Sequence, residues 1–216
     1  MAQPLNLLGA AYDIHKVGIT RFGNNSMIYE LMGRANDGDE VFRYLQRYWN
    51  AKGEEVVYLI DLEGLYVLGP SASSAFVEGV TLFSKQREKP VVLLNVHPEA
   101  LKGLRTCEYT SKNNPTVWAF DTEHHLNFIG DPPERWKRVL HELQKRGQAS
   151  ASDLAEDNTK ASINKFSVYL QELFNARLVT REKVGGSDRP GGGERGWTYT
   201  YRPAYQNVDE GSRELV

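Results

Sequence analysis

The sequence predicts an α/β domain followed by a smaller α+β domain, and three observations carry that reading. Between residues 56 and 122, three apolar, β-rich runs (VVYLI, PVVLLNV and PTVWAFDT) alternate with segments of helical spacing. That order of strand and helix builds a sheet that is substantially parallel. Asp131-Pro132-Pro133 then interrupts the pattern; paired prolines stop one element and suit the first turn of the next helix. Beyond the prolines, residues 149–203 read as a short helix, a tight connection, a second helix and two strands around a glycine-rich loop.

Composition sets the outer bounds. The 216 residues are enough for one large domain or two small ones. The chain is 40% hydrophobic and 25% charged, the balance of a soluble globular protein. No apolar run approaches the roughly 20 residues needed to span a bilayer. The opening MAQPLNLLGAAYD lacks the basic start and apolar core of a secretion signal. Cys107 is the single cysteine, which excludes an internal disulfide and a thiolate metal cluster. A cytoplasmic protein that does not engage membranes is the expectation. A formal net charge of −2 argues against general coating of nucleic acid, while leaving room for a local basic surface. No internal repeat is visible.

Taken in order, residues 12–22 partly alternate apolar and polar and predict a strand, with a turn at Asn24-Asn25-Ser26. A short apolar stretch in SMIYELM and a turn at Asn36-Asp37-Gly38 come next. Asp39 is placed to cap a helix whose Val41, Phe42, Leu45, Tyr48 and Trp49 share one face, and Gly53 closes it. Residues 56–60 read as a strand buried on both faces. Pro70 and Ser71 open a helix reaching about Gln86, with Ala72, Ala75, Phe76, Val80 and Phe83 inward. PVVLLNV is a second buried strand, HPEALKGLRTCEY a short helix and PTVWAFDT a third strand, and the domain ends near Gly130. Trp136, Val139, Leu140 and Leu143 then form the stripe of an amphipathic helix over residues 134–146, ended by Gly147.

In the C-terminal part, Ser150 or Ser152 would cap a helix containing Asp153-Leu154-Ala155-Glu156. The helix over residues 159–177 puts Ile163, Phe166, Leu170 and Leu173 on one face. Asn164, Lys165, Val168 and Gln171 lie on the other, with Thr159, Lys160 and Ser162 near the start. LVTREKV is a strand with Arg181 and Lys183 at outer positions, the glycine-rich loop carries Arg189 and Arg195, and WTYTYRP returns. This is the element order of a winged helix-turn-helix, which needs an apolar side turned inward and amide and cationic side chains for a major groove. The loop arginines would follow phosphates or enter a minor groove. Thr159, Lys160, Ser162, Asn164, Lys165, Gln171, Arg181, Lys183, Arg189 and Arg195 are therefore the candidate contacts to double-stranded DNA. The same fold also serves protein contact and dimerisation, and the modest charge of the second helix keeps that use open.

Two stretches carry family resemblances. VVYLIDLEGLYVLGPSASSAFVEG resembles the central strand–turn–helix of STAS-like domains: Asp61-Leu62-Glu63-Gly64-Leu65 matches the strand end and Ser71 the serine at the helix start. Gly33-Arg34 and Gly38 are similar to the upstream arginine before a glycine-containing helix start. The likeness spans roughly residues 10–125, and Gly69-Pro70 stand where the family has an Asp-Ser pair. It implies a module that docks a regulatory protein or receives a small signal. Ser71 is then a candidate phosphoacceptor, because a phosphate at a helix N-terminus meets the positive end of the dipole. Its plainer role is an N-cap. Residues 149–203 are similar to winged-helix regulators of the MarR and ArsR kind, where a Leu-Ala-Glu helix precedes the recognition helix. Here Leu154-Ala155-Glu156 matches, and Arg177-Leu178-Val179 replaces the Gly-Leu-Val that opens the wing. That resemblance implies a homodimer on two-fold DNA.

The expected organisation is a STAS-like α/β domain over residues 1–130, a winged helix-turn-helix over 131–203 and a loose tail over 204–216. The function expected is a cytoplasmic DNA-binding regulator, with a protein-interaction adaptor as the alternative. Asp121-Thr122-Glu123-His124-His125 has the letters of a metal site, but adjacent histidines point apart and outside ligands are missing. His15, His97 and His141 are scattered. The loop GGSDRPGGGERG lacks the Gly-Lys-Ser/Thr of a phosphate-binding loop and precedes a strand. Cys107 has no cationic or histidine neighbour in sequence. With no nucleophile–base–orienter trio, neither catalytic residues nor a metal or cofactor are expected.

Overall fold

A computed structural model of the chain describes residues 4–6, 19–22, 28–31, 37–50, 57–155, 159–186 and 197–204. The architecture is mixed α/β, in two units, Met1–Asp131 and Pro132–Val216. Strands of the first unit are β1 (Pro4–Asn6), β2 (Ile19–Phe22), β3 (Ile28–Leu31), β4 (Tyr58–Asp61), β5 (Val91–Val96), β6 (Val117–Asp121) and β7 (Leu126–Ile129). Five of them form one sheet in the order β1-β4-β5-β6-β7, while β2 and β3 pair as a separate antiparallel ribbon. The pairings from β1 to β6 are parallel, and β7 returns antiparallel to β6.

Hydrophobic patterning explains why these residues make a sheet. Tyr58, Ile60, Leu93 and Ala119 enter one core cluster with the helices, while Leu59, Val92, Trp118 and Phe120 lie outside that cluster and are buried too. Strands apolar on both faces are what unbroken β-rich runs predict. Helices α1 (Asp37–Asn50), α2 (Pro70–Arg87) and α3 (Pro98–Thr106) join that core, with Leu62, Leu65 and Leu68 from the loop after β4, and Tyr109 of α4 (Glu108–Asn113) packs against it. An aromatic triangle joins three elements: Trp49 of α1 meets Tyr58 of β4 at 4.8 Å and Phe83 of α2 at 5.5 Å, and Tyr58 meets Phe83 at 4.9 Å.

Several local expectations change. The first helix begins at Asp37, so Asp39 sits within its opening turn, 3.8 Å from Arg43, one turn on. A carboxylate there still meets the positive end of the helix. Gly69 is the N-cap of α2 and Pro70 its first residue, with no side-chain capping bond. Ser71 is therefore exposed in the first turn and not the cap: proline, whose missing N–H costs nothing at that position, moves the helix start one residue earlier. HPEALKGLRTCEY is two helices, broken where Cys107 adopts an extended conformation (φ −66°, ψ 161°). Its buried Sγ lies 3.4 Å from the Leu104 carbonyl and 3.2 Å from the Thr110 hydroxyl. His97 takes the capping role at α3, its Nδ1 accepting from the Glu99 N–H at 3.3 Å.

Strand β7 follows directly from the Asp121–His125 turn. Asp121 accepts backbone N–H bonds from Glu123 (3.0 Å) and His125 (2.8 Å) and the Asn127 amide (3.1 Å), which turns the chain back beside β6. His124 completes the reversal at φ 64°. Arg105, in the last turn of α3, donates to the Phe128 carbonyl (2.8 Å) and to Asn127 Oδ1 (3.0 Å). After β7, Gly130 takes φ +82°, and a Cβ there would stand 1.9 Å from the Pro115 carbonyl oxygen. The Asn114 side chain then holds Asp131, accepting its N–H at 2.7 Å and donating to its carbonyl at 3.3 Å. Residues 12–18, the turn at 24–26, Gly33, Arg34 and Gly53 lie outside the described residues.

In the second unit, α5 (Glu134–Arg146) buries Val139, Leu140 and Leu143 and stops at Gly147, φ 73°. A one-turn helix, α6 (Ala151–Leu154), precedes α7 (Lys160–Asn175) and the antiparallel pair β8 (Val179–Gly186) and β9 (Trp197–Pro203). Ala149 adds a bridge to Tyr201, with N–H···O bonds of 3.0 and 2.9 Å, so the chain before α6 joins the same small sheet.

Candidate nucleic-acid interface

Capping chemistry fixes the starts of α6 and α7. Ser150 accepts from the Asp153 N–H at 3.3 Å, and Asp153 accepts from the Ser150 N–H and hydroxyl, each at 2.7 Å. This reciprocal box satisfies donors that a helix start leaves open. The Ser150 backbone N–H, then its hydroxyl, hold the Asp153 carboxyl below the usual range, with Arg146 adding to them. Leu154 and Ala155 are buried; the helix ends at Leu154, sooner than the sequence suggested. Thr159 caps α7 by accepting from the Ser162 N–H at 3.2 Å.

Helix α7 turns Leu170 and Leu173 into the core, and Ile163 and Phe166 are half-buried beside them. Lys160, Ala161, Asn164, Lys165, Ser167, Val168 and Asn175 are exposed. The acid of this helix, Glu172, is held away from that side. Its Oε2 accepts from the Trp136 indole at 2.7 Å and lies 3.4 Å from the Arg135 guanidinium. Lys165 lies over the Phe166 and Tyr169 rings at 5.8 and 5.9 Å, and Arg135 lies 5.8 Å from the Tyr169 centroid. At the C-terminal end, Arg177 adopts φ 61°, the left-handed turn that a glycine would take without strain. The Leu178 N–H then reaches the Leu173 carbonyl at 2.9 Å.

Of the residues expected from sequence, Lys160, Asn164 and Lys165 share the exposed side of α7, and Lys183 is exposed on β8. Thr159 uses its hydroxyl in the cap, and Ser162 is half-buried. Arg181 departs most from expectation, because it is not at an outer position. Its register partner is the buried Tyr201, and its guanidinium lies between the rings of Phe174 (3.9 Å) and Tyr199 (4.6 Å). It also donates to Gln171 Oε1 at 2.7 Å, while Gln171 Nε2 donates to Asn175 at 2.8 Å. Strand alternation fixes which residues share a face, but not which face turns inward. Arg189 and Arg195 lie outside the described residues.

The Arg181 contacts tie β8 to α7. Two cation–π contacts at about 0.5–1 kcal/mol each and a hydrogen bond to a charged donor of about 1.5 kcal/mol make Arg181→Ala destabilising by roughly 2.5–3.5 kcal/mol. Urea unfolding of the full chain is the measurement; an unchanged midpoint would show that the sandwich contributes nothing.

Trp136 was expected on the inner stripe of α5; its indole N–H gives it a second role, positioning Glu172, for which no sequence pattern exists. Elsewhere, no group of three His, Cys, Asp or Glu among the described residues is placed to hold a metal ion. His125 Nδ1 lies 3.5 Å from both Asp121 and Glu123, in a turn open to solvent. None of the described helices is long and apolar enough to cross a membrane. No protein-family model matches the chain, and neither a curated protein nor a solved structure matches it.

Proposed function

We propose that the second unit is a winged helix-turn-helix that binds duplex DNA, with α7 in the major groove and the β8–β9 hairpin beside the phosphate backbone. The observation that carries this is the one-sided chemistry of α7: its exposed residues include two lysines and two asparagines and no carboxylate. Glu172, the acid that would repel phosphate, is instead bound to Trp136 and Arg135. The first unit serves as a STAS-like module that receives a protein or small-molecule signal. Exposed Tyr66 and Val67 follow the C-terminal end of β4, on the side of a parallel sheet where ligands commonly bind. Those two residues also favour the second reading, a protein-docking adaptor. In either case Ser71, exposed in the first turn of α2, is open to a kinase.

Fluorescence anisotropy of the full chain with a labelled duplex, titrated with salt, tests the DNA reading. Binding should weaken steeply with salt as counterions are released. Lys160→Ala and Lys165→Ala should each weaken binding and lower the salt slope by about one. Affinity and slope that ignore both substitutions would reject α7 as the DNA-facing element.

A further inference from the structure

We infer that α7 prefers A·T over G·C base pairs, through the amide of Asn164 and the methyl groups of Val168 and Ala161; this rests on the DNA-binding reading above.

The chemistry of the exposed stripe supports that preference. Ala161, Asn164 and Val168 follow one another at spacings of three and four residues, which places them on one side of the helix. All three are exposed, and Val168, at 55%, is the most exposed large hydrophobic among the described residues. A lone exposed valine needs no explanation; here it stands one turn from an amide, on a side without acids. Asn164 makes no hydrogen bond with any described residue, whereas Gln171 has its oxygen taken by Arg181 and its nitrogen by Asn175. Asn164 is thus the amide left open. An asparagine amide matches the N7 acceptor and N6 donor that adenine presents in the major groove, and apolar side chains meet the thymine 5-methyl. Guanine is most often read by arginine or lysine; the described exposed side has no arginine, and its two lysines are assigned to the phosphates. Arg181 is held against Phe174 and Tyr199. Lys160 and Lys165 flank the stripe and match the charge of the phosphates on either side. Four residues of helix advance about 6 Å against about 3.4 Å per nucleotide, so Asn164 and Val168 reach base pairs one or two steps apart.

The test uses the full chain. Duplexes with a randomised core are enriched by binding, and the bound pool is sequenced; an A·T-rich core is expected. In the selected duplex, replacing thymine by uracil at the contacted step removes only the 5-methyl. Replacing adenine by 7-deazaadenine removes only the N7 acceptor. The adenine change should weaken the unaltered protein about fivefold or more, and the thymine change by a smaller but measurable factor. Val168→Ala should lose the response to uracil and Asn164→Ala the response to 7-deazaadenine, each keeping the other. Both sites are exposed, so circular dichroism should show the fold unchanged. Salt-dependent binding with no sequence preference, or a G·C-rich core, overturns the inference while leaving DNA binding in place. Failure to bind any duplex overturns both.

Discussion

Replacing Trp49 with alanine is expected to cost the first unit about 3–5 kcal/mol. The side chain is 2% exposed and packs against Tyr58 and Phe83. It therefore joins the end of α1 to both the first interior strand and α2. Truncation removes the transfer energy of a large apolar surface and leaves a void that Tyr58 cannot fill, because its own ring is held by Phe83 at 4.9 Å. Edge-to-face and tilted ring contacts add about 0.5–1.5 kcal/mol per pair beyond area burial. Trp49→Phe should recover part of this, since one ring remains. Chemical denaturation followed by far-ultraviolet circular dichroism measures both. A Trp49→Ala midpoint within error of the original would mean that α1 contributes little to the core.

Gly130→Ala is expected to destabilise the same unit by roughly 3 kcal/mol or more, though it adds a single methyl group. Two costs combine. The backbone at φ +82° is one that side chains rarely adopt, at about 1–3 kcal/mol. The new carbon would also meet the Pro115 carbonyl oxygen at 1.9 Å, and relieving such a contact by moving backbone costs about 1–3 kcal/mol more. Pro115 cannot easily yield, because Asn114 beside it is bonded at both ends of Asp131. Gly103→Ala is a useful contrast, since its nearest neighbours would stand at 3.2 Å and its φ is ordinary. If Gly130→Ala melts with the unaltered chain, the turn after β7 is looser than its geometry.

Legibility from sequence followed the strength of local signals. Helix α5 was readable to the residue, because Pro133 and Gly147 bracket a clear apolar stripe. The three interior strands were readable because they are apolar on both faces. β7 was not foreseen: LNFI is short, half-buried, and follows two histidines that read as a solvated strand end. Its existence depends on Asp121 gathering backbone N–H groups across the turn, a local bond that composition does not reveal. The break at Cys107 was equally hidden, since nothing in GLRTCEY stops a helix. For the candidate interface, the exposed side of α7 followed from its periodicity. The inward turn of Arg181 and the removal of Glu172 did not, because each depends on a partner from another element: Tyr199 and Phe174 for one, Trp136 for the other.

Arg105 has a consequence for behaviour at high concentration. β7 is the outermost of the described strands on its side of the sheet, and such a rim offers backbone groups to any extended chain that drifts alongside. The Arg105 guanidinium already takes the Phe128 carbonyl and the Asn127 side-chain oxygen. An incoming strand would have to displace a charged donor to dock there, so this rim is a poor template for fibrillar growth.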